Sequence, residues 1–393
     1  GPHPSEDSLR SLLILHTNDL HDHLRPGYDG IGGLAYVAGH ITRVKAERDD
    51  VLVLDAGDVA EKGDRVARHT RSRLTFEAMR KIGYDAWTAG NHDHDFGVQA
   101  LREFTEQGGM PLVNLNLLKD DGTLEFPASV ILQANGVRVG VLGAIVPRNE
   151  NSLDAEGTAR AIAEESARLA AESDLVVALV HIPSRESAWL STLAPDVDLF
   201  ITGHAHEVLA QPLIVPETGA LIVQAGYYAR YVGSLDLQVD LRNGGIASHR
   251  YELVEMDHQT VQPDLEMLEW IRLQELALTP DAQQTALWLS RPMGRFELGV
   301  FAAHALRTAT GADVAFHKSN HIVRDILHPG LLDLNAVYRT GGERGERLVQ
   351  VDLTGREIEW YMQALPIGDW LPSNWSGFTG GYDTAGTFSS DLD

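Results

Sequence analysis

Short apolar runs alternate with amphipathic stretches between Ser11 and Met256. The apolar runs end in polar, Gly-rich turns, and this alternation is typical of an α/β domain. The apolar runs predict strands at Leu12–His16, Val51–Leu54, Ala86–Ala89, Leu112–Leu115, Leu175–Val180, Leu199–Thr202 and Leu221–Gln224. The amphipathic stretches predict helices at Leu34–Glu47, Leu74–Ile82, Val98–Glu106 and Ala159–Glu172.

Two Asn-Gly pairs interrupt this alternation, at Asn135-Gly136 and at Asn243-Gly244. Asn-Gly is the preferred pair in the type I′ turns of β-hairpins. Because a tight hairpin joins antiparallel strands, we expect mixed sheets rather than purely parallel ones.

The pattern becomes helical between residues 257 and 291, where Pro263 and Pro280 bracket a helix at Asp264–Leu278 and no strand is predicted. Further on, the predicted helices are Phe301–Thr310 and Glu357–Gln363, and the predicted strands are Asp313–Phe316 and Leu348–Leu353. The sequence therefore predicts a large domain over residues 11–256, a helical linker over 257–291 and a smaller α/β domain over 292–393.

The strongly negative net charge of the chain limits the molecules that it is expected to bind. The 393 residues include 56 acidic and 32 basic side chains, which gives a net charge of −24. Such a field repels nucleic-acid backbones and anionic lipid surfaces, so no nucleic-acid duplex is expected as a partner. An anionic small substrate would need local positive charge, which bound divalent cations can supply.

The chain contains no Cys, which excludes disulfides, thiolate metal sites and Cys nucleophiles. No apolar stretch reaches the roughly 18 residues that a membrane-spanning helix needs, so no membrane span is expected. The sequence starts at Gly1 without a Met, and we expect that an export signal has been removed. The sequence contains no indication of the oligomeric state.

Side chains that can bind metal ions follow five of the predicted strands. They are Asp19 and His21 after the first strand, Asp58 after the second, Asn91 after the third, His181 at the end of the Leu175 strand, and His204 and His206 after the Leu199 strand. The carboxyl ends of strands in α/β sheets are where sites are assembled, so we expect these side chains to converge.

These ligands are carboxylate oxygens, imidazole nitrogens and one amide oxygen. That set suits two divalent ions of borderline or hard character, such as Mn, Zn, Fe or Co, rather than a structural zinc. An Asp shared by two ions can hold them roughly 3.5–4 Å apart, a separation suited to a phosphoryl group. The pattern therefore predicts metal-assisted hydrolysis of phosphate esters.

The chain resembles calcineurin-type metallophosphoesterases, and more narrowly the bacterial family of 5′-nucleotidases, UDP-sugar hydrolases and 2′,3′-cyclic-nucleotide phosphodiesterases. The matching motifs follow the order of the family between about Leu12 and Glu252. They are Ile14 to His21, Gly32 to Ala35, Asp55 to Asp58, Gly83 to Gly97, His181, and Gly203 to His206. The resemblance implies a four-layer α-β-β-α sandwich with a second, smaller α/β domain.

The resemblance also implies a role for each matching residue. The implied metal ligands are Asp19, His21 and His206 on one ion, Asn91, His181 and His204 on the other, and Asp58 bridging the two. A hydroxide between the ions would attack phosphorus. His92, oriented by Asp95, would stabilise the transition state or protonate the leaving group.

Substrate contacts are implied in the smaller domain, where the resemblance extends. Arg324 stands roughly where the family has a phosphate-binding Arg. Trp375 and Phe378, with Trp370 and Tyr382 as further candidates, would stack on a nucleobase in place of the ring that the family carries beyond the segment present here. Hydrophobic anchoring of a small domain is the alternative role for these rings. The family continues past the segment where this chain ends at Asp393, so we expect a domain that is either naturally short or incomplete.

The sequence thus predicts a dimetal hydrolase of the 5′-nucleotidase type that acts on nucleotide phosphate esters in the periplasm or after secretion. The same site would also serve a 2′,3′-cyclic-nucleotide phosphodiesterase or a nucleotide-sugar pyrophosphatase. A hydrolase of sulfate or thiosulfate esters would use the same metal pair. A catalytically silent, metal-containing binding protein belongs to a different class and is disfavoured, because every ligand position is filled.

Overall fold

The computed structural model describes residues 8–147, 151–317, 323–341, 347–364, 375–378, 380–382 and 387–392. The chain divides into two compact units, Gly1–Leu278 and Thr279–Asp393. The division falls directly after the helix at Leu265–Leu278, so this helix belongs to the first unit.

The first unit contains eleven strands and seven α-helices in its described residues. The strands are β1 (Leu9–Thr17), β2 (Val51–Asp55), β3 (Ala86–Trp87), β4 (Ser129–Ala134), β5 (Val137–Ile145), β6 (Leu175–His181), β7 (Leu199–Thr202), β8 (Leu213–Ile214), β9 (Leu221–Val223), β10 (Tyr231–Asp240) and β11 (Ile246–Glu255). The helices are α1 (Leu34–Glu47), α2 (Arg65–His69), α3 (Arg73–Ile82), α4 (Val98–Gly108), α5 (Ala155–Ala170), α6 (Ser184–Leu193) and α7 (Leu265–Leu278).

The strands form two mixed sheets. One has five strands in the order β11-β10-β1-β2-β3, and the other has six in the order β4-β5-β6-β7-β9-β8. The neighbours β1, β2 and β3 are parallel, and so are β5, β6, β7 and β9. The hairpins β4–β5 and β10–β11 turn at the two Asn-Gly pairs, so the predicted mixed sheets are confirmed.

Alternate residues of each central strand face two different cores. In β1, Leu12 and Ile14 pack between the two sheets, whereas Leu13 and Leu15 face the core beneath the helices on the other side of the sheet. In β6 the same period of two separates Val177 from Val176. Three buried layers of side chains therefore lie between four layers of secondary structure, with helices on the outside and the two sheets in the middle. This is the predicted four-layer α-β-β-α sandwich.

The second unit is smaller, and its described part combines helices with two-stranded sheets. Its strands are β12 (Thr285–Leu289), β13 (Ala315–Phe316), β14 (Gly330–Asp333), β15 (Trp375–Ser376), β16 (Gly380–Tyr382) and β17 (Phe388–Ser390). Its helices are α8 (Arg295–Thr310), α9 (Leu334–Arg339) and α10 (Gly355–Ala364). The strand pairs are β12 with β14, β13 with β15 and β16 with β17, all antiparallel.

Three strand predictions are wrong. Residues 285–289, where no strand was predicted, form β12 because they find a partner in β14. Leu348–Leu353 forms no strand, and these side chains are exposed. Leu112–Leu115 is reduced to a single bridge with Trp87, because the N–H groups of Asn114 and Leu115 donate to Pro127 and Gly143 instead. For residues 285–289 and 112–115, a distant partner decides the outcome.

Candidate metal centre

The loops after β1, β2, β3 and β7 meet the last residue of β6 at one end of the sandwich. Two groups of metal-binding side chains result, Asp19 with His21 and His206, and Asp58 with His181 and His204. Within each group the candidate ligand atoms all lie within 4.8 Å of one another. The structure thus brings together residues from positions 19 to 206 of the chain.

The first group converges on one point. The Oδ1 atom of Asp19 lies 3.2 Å from His206 Nε2 and 3.7 Å from His21 Nε2. The two Nε2 atoms are themselves 3.2 Å apart. One carboxylate oxygen and two ring nitrogens therefore face a common centre, which is an arrangement that can hold a single ion.

The second group lies beside the first and shares an edge with it. Asp58 Oδ2 is 3.1 Å from His181 Nε2 and 3.6 Å from His21 Nε2, so this carboxylate faces both groups. Asn91 Oδ1 lies 2.8 Å from His204 Nδ1, which adds the amide oxygen to the second group. The position of Asp58 fits a ligand shared between two ions.

Hydrogen bonds on the far side of two imidazoles orient them toward the centre. His181 Nδ1 donates to the backbone oxygen of Ala56 at 2.8 Å. His21 Nδ1 lies 3.1 Å from the backbone oxygen of Glu61. When Nδ1 carries the proton, Nε2 presents a lone pair, and this is the tautomer that a metal ligand requires.

Buried polar atoms support occupation by cations. Among the described residues, Asp19 Oδ1 and His181 Nε2 are buried and have no hydrogen-bond partner. Leaving such atoms unsatisfied costs about 1–3 kcal/mol each, and more for charged groups. Divalent cations would satisfy both atoms, so these residues fit the dinuclear site.

The pKa shifts of the ligands also favour cations at this centre. Burial would by itself raise the pKa of Asp58, but the charges of His181 and His21 outweigh burial and lower it. Burial would lower the pKa of His181, and the carboxylate of Asp58 reverses this and raises it to about 10. Burial lowers the pKa of His21 and of His204. The carboxylates therefore favour positive charge at the centre, while burial keeps two of the imidazoles neutral.

Five of the seven candidate ligands have left-handed backbone conformations. Their φ values are 53° for Asp19, 46° for His21, 56° for Asp58, 74° for His204 and 57° for His206. For residues other than Gly this conformation is uncommon and costs on the order of 1–3 kcal/mol each. It reverses the chain shortly after each strand end, so the side chain is directed back over the sheet.

Two glycines lie so close to ligand side chains that any larger residue would clash with them. A Cβ at Gly90 would lie 2.1 Å from Asp58 Oδ1, and a Cβ at Gly203 would lie 2.8 Å from His181 Nδ1. Both glycines belong to the motifs that precede ligands in the sequence. They are required for close approach to a ligand side chain rather than for a positive φ.

Two buried carboxylates that the sequence analysis did not single out hold the loops together. Asp93 accepts hydrogen bonds from the backbone N–H groups of Asp58, Ala60 and Gly90 at 2.7–2.8 Å. Asp22 accepts from the backbone N–H of Glu61 and from two hydroxyl groups, those of Ser72 and Thr75. Their places directly after His92 and His21 were the only signal available in the sequence.

His92, the predicted acid or transition-state contact, lies at the edge of the candidate metal centre. Its backbone N–H donates to Asp58 Oδ1 at 2.8 Å, and its ring centroid is 5.4 Å from that of His21. Its Nδ1 atom lies 3.4 Å from Asp95 Oδ2 and 3.3 Å from Glu61 Oε2. Burial would lower the pKa of His92, but its contacts with these carboxylates raise it.

Glu61 and Lys62 were missed by the sequence analysis. Both stand beside His92, with Lys62 Nζ 2.7 Å from His92 Nε2. They lie outside the matching motifs, in the loop that follows Asp58, and neither has a spacing that points to a role. Only their position three and four residues after a ligand could have drawn attention to them.

A cavity of about 680 Å³ lies beside the segment that contains His94 and Asp95. Asp95 and His94 line it together with Arg102 and Lys119. Asp95, which also contacts His92, is therefore shared between the wall of the cavity and the surroundings of the predicted acid.

The predicted substrate residues belong to the second unit. Arg324 is half-buried, and its backbone N–H donates to Thr340 O at 2.5 Å. Trp375 is buried in a small apolar cluster and stacks on Phe378, with ring centroids 5.6 Å apart. These contacts are those expected of hydrophobic anchors, and stacking of Trp375 and Phe378 on a nucleobase stays a prediction. Trp370 and the side chain of Tyr382 lie outside the described residues.

A family profile described as calcineurin-like phosphoesterase matches residues 12–208, and the chain belongs to this family. The matched range contains all seven candidate ligands as well as His92 and Asp95. The resemblance to metallophosphoesterases drawn from the motifs is therefore confirmed.

Curated relatives of the chain include nucleotide hydrolases and a nuclease. The chain is 26% identical over 426 residues to a 5′-nucleotidase of Vibrio vulnificus, covering 91% of this chain and 76% of the relative. It is 25% identical over 402 residues to the endonuclease YhcR of Bacillus subtilis, covering 90% of this chain but 32% of that longer protein.

Solved structures confirm the fold. A 5′-nucleotidase precursor from Thermus thermophilus superposes with a TM-score of 0.79 at 23% identity, covering 97% of this chain and 84% of that one. The sulfate thiohydrolase SoxB of the genus Thermus superposes with a TM-score of 0.71 at 20% identity, covering 84% and 73%. Among the described residues, no helix is both long and apolar enough to cross a bilayer.

Proposed function

We propose that this chain hydrolyses phosphate esters of nucleotides and that two divalent metal ions are held by the seven convergent ligands. The observation that carries the proposal is the position of Asp58, which faces both ligand groups and also accepts a hydrogen bond from the backbone of His92. The carboxylate of Asp58 therefore contacts both groups of metal ligands and the backbone of His92, the proposed proton donor. Similarity to the 5′-nucleotidase of Vibrio vulnificus supports nucleotides as the substrate class.

The ions, when bound, would supply positive charge for the phosphoryl oxygens and lower the pKa of a water molecule. Asp19, His21 and His206 would hold one ion, and Asn91, His181 and His204 the other. Asp58 would hold both. Mn, Zn, Fe or Co fits these ligands, and we propose manganese for the first assays.

His92 acts on the leaving group. The carboxylates of Asp95 and Glu61 face its Nδ1 atom, so they hold the ring in place and stabilise its protonated form. The Nε2 atom is then the one that donates a hydrogen bond or a proton to the leaving oxygen. We assign Asp95 the role of a positioning residue, because it acts through His92.

The second unit is proposed to hold the rest of the substrate, with Arg324 on phosphate and Trp375 and Phe378 near the base. A cyclic-nucleotide phosphodiesterase or nucleotide-sugar pyrophosphatase would use the same metal centre, so these remain the alternative substrates. We also propose that the protein works in the periplasm or is secreted, in keeping with the bacterial nucleotidases that its motifs resemble.

The test is phosphate release from AMP by the metal-stripped protein after manganese is restored. A parallel assay uses 2′,3′-cyclic AMP, with a monoesterase added to reveal diester cleavage. We expect AMP turnover that depends on metal. Preference for the cyclic diester would move the assignment to phosphodiesterase. Absence of turnover on both substrates would contradict a nucleotide hydrolase.

His92→Ala tests the proposed acid. We expect kcat to fall by about 10²- to 10⁴-fold, the usual contribution of general acid–base catalysis, while two equivalents of metal stay bound. Metal content is measured by mass spectrometry of the digested protein. The matched control is His249→Ala, which alters an exposed imidazole on β11. Equal rates in the two variants would remove His92 from the mechanism.

A further inference from the structure

Lys62 places a positive charge at the border of the metal centre. Its Nζ atom lies 2.7 Å from His92 Nε2, the ring atom assigned above to the leaving group. Its side chain is 16% exposed, so the amine is largely shielded from water. The loop that carries Lys62 begins at the shared ligand Asp58. A substrate phosphate at the two ions would therefore come close to this amine.

The loop holds Lys62 in a fixed and unfavourable conformation. Lys62 has a φ of 79° and Glu61 a φ of 73°, both in the region that favours Gly. The next residue, Gly63, is packed so closely that a Cβ there would lie 2.1 Å from the backbone oxygen of Asp22. Non-Gly residues in such conformations cluster at functional sites, where the surrounding structure enforces them.

Glu61 forms only a long ion pair with the ammonium group of Lys62. The Oε2 atom of Glu61 is 3.8 Å from Lys62 Nζ but 3.3 Å from His92 Nδ1, so the carboxylate lies nearer the imidazole. An ammonium carries three N–H donors, and the contact with His92 Nε2 uses one. In this contact His92 Nε2 accepts from the ammonium. Once His92 is protonated, Nε2 can no longer accept, and its N–H and the N–H groups of Lys62 can then both donate to a phosphate oxygen.

The charge of the substrate decides what such a cation contributes. A phosphate monoester has its second pKa near 6 and is largely a dianion at neutral pH, whereas a diester is a monoanion. Coulombic attraction to a fixed ammonium grows with the charge on the phosphoryl group. The carboxylates of Asp95 and Glu61 nearby would otherwise repel the dianion more strongly than the monoanion.

We propose that Lys62 binds a phosphoryl oxygen of the substrate and makes the site prefer monoesters to diesters. This inference rests on the proposed function and narrows its substrate class to phosphate monoesters. It assigns specificity to the loop after Asp58 in the first unit, in addition to any contacts made by the second unit.

The experiment compares Lys62→Gln and Lys62→Arg with wild type after manganese loading. Values of kcat/KM are measured for AMP and for bis(p-nitrophenyl) phosphate, and the affinity for inorganic phosphate is measured by calorimetry. For Lys62→Gln we expect a loss of about 10- to 100-fold on AMP and in phosphate affinity, the usual effect of removing a charged hydrogen bond, with little change on the diester. Lys62→Arg keeps the charge and should retain most of the preference.

Controls separate this role from a structural one. Lys62→Gly suits the left-handed backbone and removes the amine, so it should reproduce Lys62→Gln without loss of folding or of bound manganese. Lys81→Gln changes an exposed lysine on α3 and should match wild type. An equal loss on both esters, an unchanged phosphate affinity, or wild-type protein that binds no phosphate would each overturn the proposal for Lys62.

The proposed function can fail separately. If wild-type protein hydrolyses neither ester, the nucleotide hydrolase proposal falls, while the calorimetric comparison still decides whether Lys62 binds phosphate. If both esters are hydrolysed at the same relative rates by wild type and Lys62→Gln, the enzyme stands and the monoester specificity of Lys62 is overturned.

Discussion

At the scale of single residues, the candidate ligands have unfavourable backbone conformations that direct their side chains toward the candidate metal centre. Asp19, Asp58 and His206 reverse the chain shortly after a strand, and each does so in the left-handed conformation. The cost is offset by hydrogen bonds to the backbone, such as those that Asp93 accepts from the loop of Asp58. Rigid loops of this kind hold ligands within reach of two ions before any ion arrives.

Gly90→Ala tests this arrangement without removing a ligand. The added Cβ would lie 2.1 Å from Asp58 Oδ1 and 2.4 Å from its backbone nitrogen, so Asp58 must move. We expect manganese affinity to fall by about 10- to 100-fold, as it does when groups supporting a ligand are disturbed. Calorimetric titration of the metal-stripped protein measures the change.

The control for Gly90→Ala is Gly294→Ala. A Cβ at Gly294 would meet no atom within 4 Å, so this substitution adds the same methyl group without a clash. Manganese affinity that is unchanged in Gly90→Ala would show that the loop adapts and that close approach at Gly90 is not required.

At the scale of elements, aspartates just before strands satisfy the N–H groups of neighbouring strands. Asp198, before β7, accepts from Val176 of β6 at 2.8 Å. Asp85, before β3, accepts from Val53 of β2 at 2.8 Å. These bonds set the parallel register at the end of each sheet opposite the metal centre. Burial raises the pKa of Asp198 to about 6, which makes its ionised form unfavourable in the folded protein.

The pH dependence of stability follows from Asp198. Because its folded pKa lies above the ordinary value of 3.8, its contribution is fully present below about pH 4 and is lost as the pH rises to about 6. In Asp198→Asn this part of the pH dependence should disappear, so the free energy of unfolding relative to wild type should increase by about 2 kcal/mol between pH 4 and pH 7. Urea unfolding at several pH values measures it.

Asp49→Asn, an exposed aspartate before β2, serves as the control and should follow wild type. A difference between Asp198→Asn and wild type that stays the same at pH 4 and pH 7 would contradict the assignment of this titration to Asp198.

At the scale of the whole molecule, the metal centre belongs entirely to the first unit. All candidate ligands lie between Asp19 and His206, and among the described residues the cores on both sides of the two sheets extend no further than Leu278. The second unit has its own small apolar cluster, which includes Trp375 and Phe388. Each unit therefore has a separate core, as independently folding domains do.

A fragment of residues 1–278 is expected to fold and to bind two manganese ions. It should hydrolyse bis(p-nitrophenyl) phosphate, which needs the metal centre and few specific contacts, but lose efficiency on AMP if the second unit holds the nucleotide. Circular dichroism, metal analysis and kcat/KM for both esters test this. A fragment that is folded and fully active on AMP would locate nucleotide recognition in the first unit, and an unfolded one would contradict the separate core.

The sequence by itself determined the α/β pattern, the mixed sheets and the candidate ligands, because these depend on local periodicity, turn residues and motifs at strand ends. The structure places Asp19, Asp58, His181 and His206 together as the motifs implied. Tertiary structure decided the rest. Strand β12 exists because β14 is there to pair with it. Glu61 and Lys62 contact His92 only because their loop folds back beside it, and a contact across 30 residues leaves no periodic signal in the chain.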